Sequence, residues 1–180
     1  MTVYISLLRG INVSGQKIIK MADLRSLYQS LSFQNVKSYI QSGNLIFDSD
    51  VNNQSQLATE ISQAIFAHYQ FDVPVFVLTL EALRSARQNL PFNHIDLDAE
   101  GSKVLLCFLS DLPSNADELL TPYLKSNERL VINGKVLYLH CPDGVGRSKL
   151  SHSNIERKLK LNATIRNLKT VDKVINLSSN

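Results

Sequence analysis

The stretch SYIQSGNLIF, residues 38–47, decides how the first half of this chain is read. Ser42-Gly43-Asn44 is a turn signal, and the residues on either side favour extended backbone. The stretch is therefore predicted as a hairpin, with strands over residues 36–41 and 45–47. Working outward, Met21, Leu24, Leu27, Tyr28 and Leu31 on one side and Leu57, Ile61, Ile65 and Tyr69 on the other recur at helical spacing. Beyond them, residues 2–8 and 73–78 (VPVFVL) are short, β-branched and apolar, as strands are, with Pro74 pointing to a sheet edge. The order is strand, helix, strand, strand, helix, strand.

The same order returns in the second half. Thr79 can cap a helix carrying Leu80, Leu83, Ala86 and Leu90, which Pro91 stops, and residues 91–102 (PFNHIDLDAEGS) read as a loop. Residues 103–109 (KVLLCFL) are a predicted strand. Ser114-Asn115-Ala116-Asp117 resembles a capping box for a helix reaching about Leu124. Residues 130–132 and 136–139 flank Asn133-Gly134, the preferred pair of a type I′ hairpin. After the loop CPDGVGRSKL (141–150), Ser153-Asn154-Ile155-Glu156 reads as a second capping box. Residues 163–166 read as a closing strand, and Leu168, Val171, Val174, Ile175 and Leu177 mark a last helix. The economical description is an α+β chain of two tandem ferredoxin-like (βαββαβ) subdomains, residues 1–79 and 103–180, joined by a helix and linker over 80–102.

Composition bounds the function. The 180 residues are 44% hydrophobic and 19% charged, as in an ordinary folded globular chain. No apolar run approaches a membrane span, and the first residues lack a basic region and a cleavage site, so a cytoplasmic protein without membrane contact is expected. The two cysteines, Cys107 and Cys141, have no metal-type spacing and read as reduced thiols. The net charge of +3 is unevenly placed. Residues 1–80 carry five positive and five negative side chains, residues 81–143 six and nine, and residues 144–180 eight and two. That basic end fits a solvated helix face or a contact for an anion.

Two glycine-bearing loops carry the candidate chemistry. In RGINVSGQK (9–17), the glycines allow close backbone approach, and Arg9 and Lys17 supply charge for a phosphate or carboxylate. In GVGRSK (144–149), Gly146 stands beside Arg147, Ser148 and Lys149, a few residues before a helix. Neither spacing is that of a phosphate loop or a dinucleotide fingerprint. A crossover helix returns the chain to its starting end, which makes the first two strands parallel. Arg9 and Gly10 should then lie beside Gln41 and Ser42, bringing Asn12, Gln41 and Asn44 to one edge.

Catalytic groups are scarce. His68 falls on a predicted helix, while His94 and His152 lie in loop-like segments. His140 and Cys141 are strand neighbours that point to opposite faces, so they form no dyad. No ExxH, HxH or CxxC spacing points to zinc, no GxSxG elbow is present, and Asp96, Asp98 and Glu100 lack the frame of a calcium loop. No metal and no cofactor is expected. An RNA-recognition reading lacks the required aromatic pattern, and the strand residues Tyr4, Tyr39, Phe47 and Tyr138 read as core.

The motifs YISLLRGINVSG, SYIQSGNLIF, YLHCPDGVGRSKL and IERKL…ATIRN resemble, in order and over nearly the whole chain, the bacterial family known as domain of unknown function 1697. The resemblance implies two α+β subdomains of ferredoxin-like kind and brings no established activity or cofactor. Its pattern falls on Arg9, Gly10, Asn12, Gln41, Ser42, Gly43, Asn44, Gly146, Arg147, Ser148 and Lys149. This chain departs from the pattern at Cys141, where relatives commonly carry an aromatic, and at Leu168, where a tryptophan often follows the Arg166-Asn167 pair. The expected role is binding of a small anionic ligand, a nucleotide or phosphorylated metabolite. Arg9, Lys17, Arg147 and Lys149 would supply charge. Asn12, Gln41 and Asn44 would fix the ligand's orientation, and Gly10, Ser42, Gly146, Ser148, Arg166 and Asn167 complete the candidate set. A transferase or hydrolase acting by anion stabilisation, or a nucleic-acid contact through the basic C-terminal region, are the competing expectations.

Overall fold

The computed structural model describes residues 1–179, and among them the chain is α+β, with two four-stranded antiparallel sheets and seven α-helices. The elements of the first half are β1 (Thr2–Leu8), α1 (Met21–Ser30), β2 (Gln34–Tyr39), β3 (Asn44–Ser49), α2 (Gln54–Tyr69) and β4 (Val75–Thr79). Helix α3 (Leu80–Gln88) then leads into α4 (Leu97–Glu100), β5 (Val104–Leu109), α5 (Ala116–Leu120), β6 (Arg129–Asn133), β7 (Val136–His140), α6 (His152–Leu159), β8 (Ala163–Asn167) and α7 (Leu168–Ser178). The sheet orders are β2-β3-β1-β4 and β6-β7-β5-β8. Two compact units result. One comprises residues 1–84 and the chain from Val174 on, the other residues 85–173, whereas the sequence reading divides the chain at 79 and 102. The final helix starts in the second unit and ends in the first.

The first unit is built on aromatics. Tyr4, Tyr28, Phe33 and Phe47 are buried together, with Phe33 stacked on Phe47 at 4.5 Å and Tyr28 edge-on to Phe47 at 5.5 Å. Leu24, Leu57, Ile61 and Ile65, the helical positions read from the sequence, close the same core. Such rings and branched side chains supply the apolar area that stabilises a small sheet-and-helix layer. One polar pair sits inside it: the hydroxyls of Ser6 and Tyr28 are 2.8 Å apart, and both residues are wholly buried. In the second unit one core cluster is aliphatic, with Leu105, Leu109, Leu120, Leu137, Leu139 and Ile155 around the two thiols.

Several local expectations are corrected. Residues 91–102 contain the short helix α4, capped by the Asp96 carboxylate, which accepts from the amides of Asp98 and Ala99. The first capping box does not form. Asn115 takes a left-handed φ of 54° at the N-cap without a side-chain bond, and Pro122 lies in a 3₁₀ turn, Thr121–Tyr123, that replaces the predicted last turn. Helix α6 begins two residues earlier than its predicted box. Ser151 caps it, and Glu156 turns away to accept the amide of Ala163. The β6–β7 turn centres on Gly134-Lys135, because Asn133 pairs with Val136. Only Gly134 there has a positive φ (59°), which suits glycine at the first central position rather than a type I′ pair.

Tyr28→Phe should lower stability by about 1–3 kcal/mol, because it strands the buried Ser6 hydroxyl without a partner. The double change Ser6→Ala, Tyr28→Phe should recover part of that loss. Urea titration of the three proteins measures both effects, and equal stability of Tyr28→Phe and the native chain would show the pair to be inconsequential.

Candidate functional site

At the end of β1 two backbone contacts fix the chain before it enters the glycine-bearing loop. The Leu8 amide donates to Gly43 at 2.9 Å, and the Arg9 amide donates to Pro74 at 3.0 Å. Both strands neighbouring β1 therefore hold its exit. The loop that follows winds through left-handed backbone at Gly10, Asn12, Ser14, Gly15 and Lys17, with φ between 47° and 77°. Non-glycine residues occupy that region at a cost, and Asn12 supplies the compensation. Its Oδ1 accepts the Ile19 amide at 2.8 Å, while its Nδ2 donates to the carbonyls of Ile19 (3.0 Å) and Gln41 (2.8 Å). One amide side chain thus closes the base of the loop and staples it to the β2–β3 turn.

Gly43 makes the approach possible. Its φ is 81°, and a Cβ placed there would come within 2.7 Å of the Leu8 Cβ and 2.9 Å of the Ile11 Cδ1. Asn44 is buried and donates to the Tyr39 carbonyl at 2.9 Å and to the Ser42 hydroxyl at 3.0 Å, holding the four residues 40–43 in their turn. Arg9, Gly10 and Asn12 do come to the same edge as Gln41, Ser42 and Asn44. The side chains divide by use, however. Asn12 and Asn44 are occupied in holding backbone, and the Lys17 ammonium donates to the Asp72 carbonyl at 2.5 Å. Gln41 is exposed on this edge, while Arg9, Gly10 and Ser42 are half-buried.

The second loop, in the other unit, closes on itself. The amides of Gly144, Arg147 and Ser148 donate to the carbonyls of Cys141, Gly144 and Val145, giving a 3₁₀ turn over Val145–Arg147. The Ser148 hydroxyl accepts the Leu150 amide at 3.2 Å, so it belongs to the loop's frame. Gly146, Arg147 and Lys149 remain on the exposed side. Arg166 is buried and donates to the Thr164 hydroxyl (2.9 Å) and the Ile165 carbonyl (2.8 Å), while Asn167 caps α7 by accepting the Thr170 amide. Both of these candidates serve the strand end and the helix start.

One polar cluster escaped the sequence reading. His140, at the end of β7, is buried, with Nδ1 2.8 Å from an Arg129 Nη2 and Nε2 3.2 Å from a Glu100 Oε1. Guanidinium nitrogens only donate, so Nδ1 must accept and Nε2 carries the proton given to Glu100. The imidazole is therefore a neutral bridge between opposite charges, and Arg129 also lies 4.9 Å from the Phe92 ring centre. Glu100 and Phe92 come from the segment read as a structureless loop. Arg129 stands directly across from His140 in the register, a pairing visible only once strand alignment is known. Among the described residues no group of His, Cys, Asp or Glu is arranged to hold a metal ion, and no helix is long and apolar enough to cross a membrane.

Burial pushes the Cys107 thiol up to about 12 and the Cys141 thiol up to about 11, with nearby Glu156 and Glu128, respectively, adding to the shifts. Neither can act as a nucleophile near neutral pH.

Residues 1–138 match the family described as protein of unknown function, DUF1697. A solved structure, that of the conserved bacterial protein SP0830 from Streptococcus pneumoniae, is 27% identical, with 98% of each chain covered and a TM-score of 0.74. No curated protein sequence matches.

Asn12→Ala should loosen the loop and cost about 2–3 kcal/mol, since it deletes three hydrogen bonds, and Gly43→Ala should cost more because position 43 cannot accept a side chain. Chemical denaturation ranks the two, and the reverse ranking would displace Gly43 as the controlling residue. In the folded protein a disulfide reagent at pH 8 should find no reactive thiol, because roughly one in a thousand Cys141 groups is ionised there, and unfolding should release two. The raised thiol values also stabilise the fold fully below about pH 9. That contribution is lost as pH rises through about 11 to 12, because the unfolded thiols ionise first. Denaturant midpoints taken from pH 8 to pH 11 should therefore fall, and a flat profile would count against the burial argument.

Proposed function

Because the chain belongs to the DUF1697 family of proteins of unknown function, its role has to be read from its own surface, and we propose that it binds a small anionic ligand, a nucleotide or phosphorylated metabolite, at its glycine-bearing loops. The observation that carries this reading is Gly146. Every other glycine of the two loops has a positive φ, and Gly43 also has a packing reason. Gly146 has neither: its φ lies outside the left-handed region, and a Cβ there would meet nothing within 4 Å. A glycine with no need of its conformational freedom and no neighbour to avoid is explained by something that approaches the backbone from outside. The exposed side chains of Arg147 and Lys149 flank it, and their charge fits a phosphate or carboxylate. In the other unit, Arg9, Gly10, Gln41 and Ser42 form the corresponding candidate surface on a loop whose backbone is already held in place.

The same reading takes the two sheets as tandem ferredoxin-like units, supported by their matching strand orders. It takes the protein as a bacterial, cytoplasmic one, in keeping with the free cysteines and the bacterial source of the related structure.

The test is a thermal-shift screen of nucleotides, phosphorylated metabolites and inorganic polyphosphate. A ligand at 100 times its dissociation constant stabilises the fold by roughly 2.7 kcal/mol. Gly146→Ala should leave the unliganded protein equally stable or firmer by about 0.4–1 kcal/mol, because alanine fits this backbone and restricts the unfolded chain. The variant should nevertheless lose the ligand shift, as should Arg147→Ala with Lys149→Ala. Undiminished binding by Gly146→Ala would sink the reading. Salt-dependent binding of oligonucleotides, abolished by changing Arg157 and Lys160 alone, would replace it with a nucleic-acid contact.

A further inference from the structure

An antiparallel sheet ends in two edges whose outward amides and carbonyls invite another strand. The four edge strands here are β2, β4, β6 and β8. In β2 the pairing slips between Gln34 and Lys37, and Asn35 takes a left-handed φ of 51°, a bulge that spoils the edge as a template. Strand β4 is entered through Pro74 and has no exposed residue. Strand β8 is covered by side chains: Glu156 accepts the Ala163 amide, His152 binds the Ala163 carbonyl at 2.6 Å, and Arg166 donates to the Ile165 carbonyl.

Strand β6 has none of these protections. Its five residues pair with β7 in unbroken register and alternate between exposed and half-buried, with Val131 38% exposed. The hydrogen-bond parity can be worked out. The Cys141 amide bonds Lys103, so the odd residues of β7 face β5 and its even residues face β6. Arg129, Val131 and Asn133 are their partners, which leaves the amides and carbonyls of Leu130 and Ile132 pointing outward. Among the described residues no hydrogen bond reaches those groups.

We propose that β6 is a self-association edge, occupied by β6 of a second copy of this chain in antiparallel pairing about a two-fold axis at Val131. That arrangement sets Leu130 opposite Ile132 of the second copy, so the outward groups of each meet the outward groups of the other, and all five residues are paired. Val131 lies on its counterpart and buries its exposed methyl groups. Arg129 faces Asn133 of the second copy, so no like charges are opposed. A two-fold contact requires a surface complementary to itself, and RLVIN meets that condition in parity, size and charge together. Five residues a side bury less than the ~1,200 Å² of a stable standard interface, so the dimer is reversible and concentration-dependent.

Sedimentation equilibrium between about 10 μM and 1 mM measures it. The native chain should shift from monomer toward dimer, with amide-exchange protection at Leu130 and Ile132 rising in step. Val131→Lys and Val131→Asp should each weaken association at least tenfold while melting like the native protein, since the side chain is exposed. An equimolar mixture of the two variants should regain the dimer, because opposite charges then meet on the axis. A native chain that stays monomeric to 1 mM overturns the proposal. So does a dimer indifferent to both substitutions, or a mixture that fails to recover.

Discussion

The amide of Leu8 reaches the carbonyl of Gly43 only because position 43 has no side chain, and the polar edge of the first unit depends on that contact. A Cβ there would strike Leu8 and Ile11, forcing apart the end of β1 and the β2–β3 turn. With the two in register, Asn12 can span from the loop to Gln41, and the left-handed residues between Gly10 and Lys17 have a fixed base. The order of cause is backbone approach first, side-chain clamp second, exposed loop surface third. The exposed surface of this edge is built on a frame that the hairpin supplies.

The two loops spend their polar residues differently. In residues 9–17 and 41–44, the asparagines and Lys17 satisfy backbone groups that a tight, irregular chain leaves without ladder partners. In residues 141–150 that work falls to backbone amides and Ser148, and the charged side chains are left at the surface. This is why the second loop yields the sharper functional reading although its chain density of polar residues is lower. Gly146 is informative through what it does not need.

Unsatisfied backbone shapes the second unit as well. The edge of β8 is covered by Glu156, His152 and Arg166, and the end of β7 is tied through His140 to Glu100 and Arg129. These titratable groups sit where catalytic machinery is often sought, yet their bonds run to backbone and to one another. The imidazole of His140 has both ring nitrogens within hydrogen-bonding distance of neighbouring side chains, Arg129 on one side and Glu100 on the other. The same accounting that explains these residues singles out β6, whose outward groups have no counterpart among the described residues.

Apolar periodicity and turn chemistry determined the mixed α+β character and the core positions on α1 and α2, because side-chain spacing of 2.0 or 3.6 residues is a local property. The meeting of residues 9–12 with residues 41–44 was also legible, since a crossover helix makes the first two strands parallel whatever their detailed packing. Cap positions were not. Ser151 rather than Ser153 starts α6 because Glu156 is taken by the Ala163 amide, a partner seven residues away that no local motif encodes. Whether an asparagine binds a ligand or a carbonyl was likewise outside the sequence. Asn12, Asn44 and Gln41 look alike as letters, and only the three-dimensional placement of Ile19, Tyr39 and their carbonyls consumed the first two and left the third exposed. The register that sets Arg129 against His140 and turns Leu130 and Ile132 outward also came from the sheet, because one residue of slip exchanges the two sets of groups.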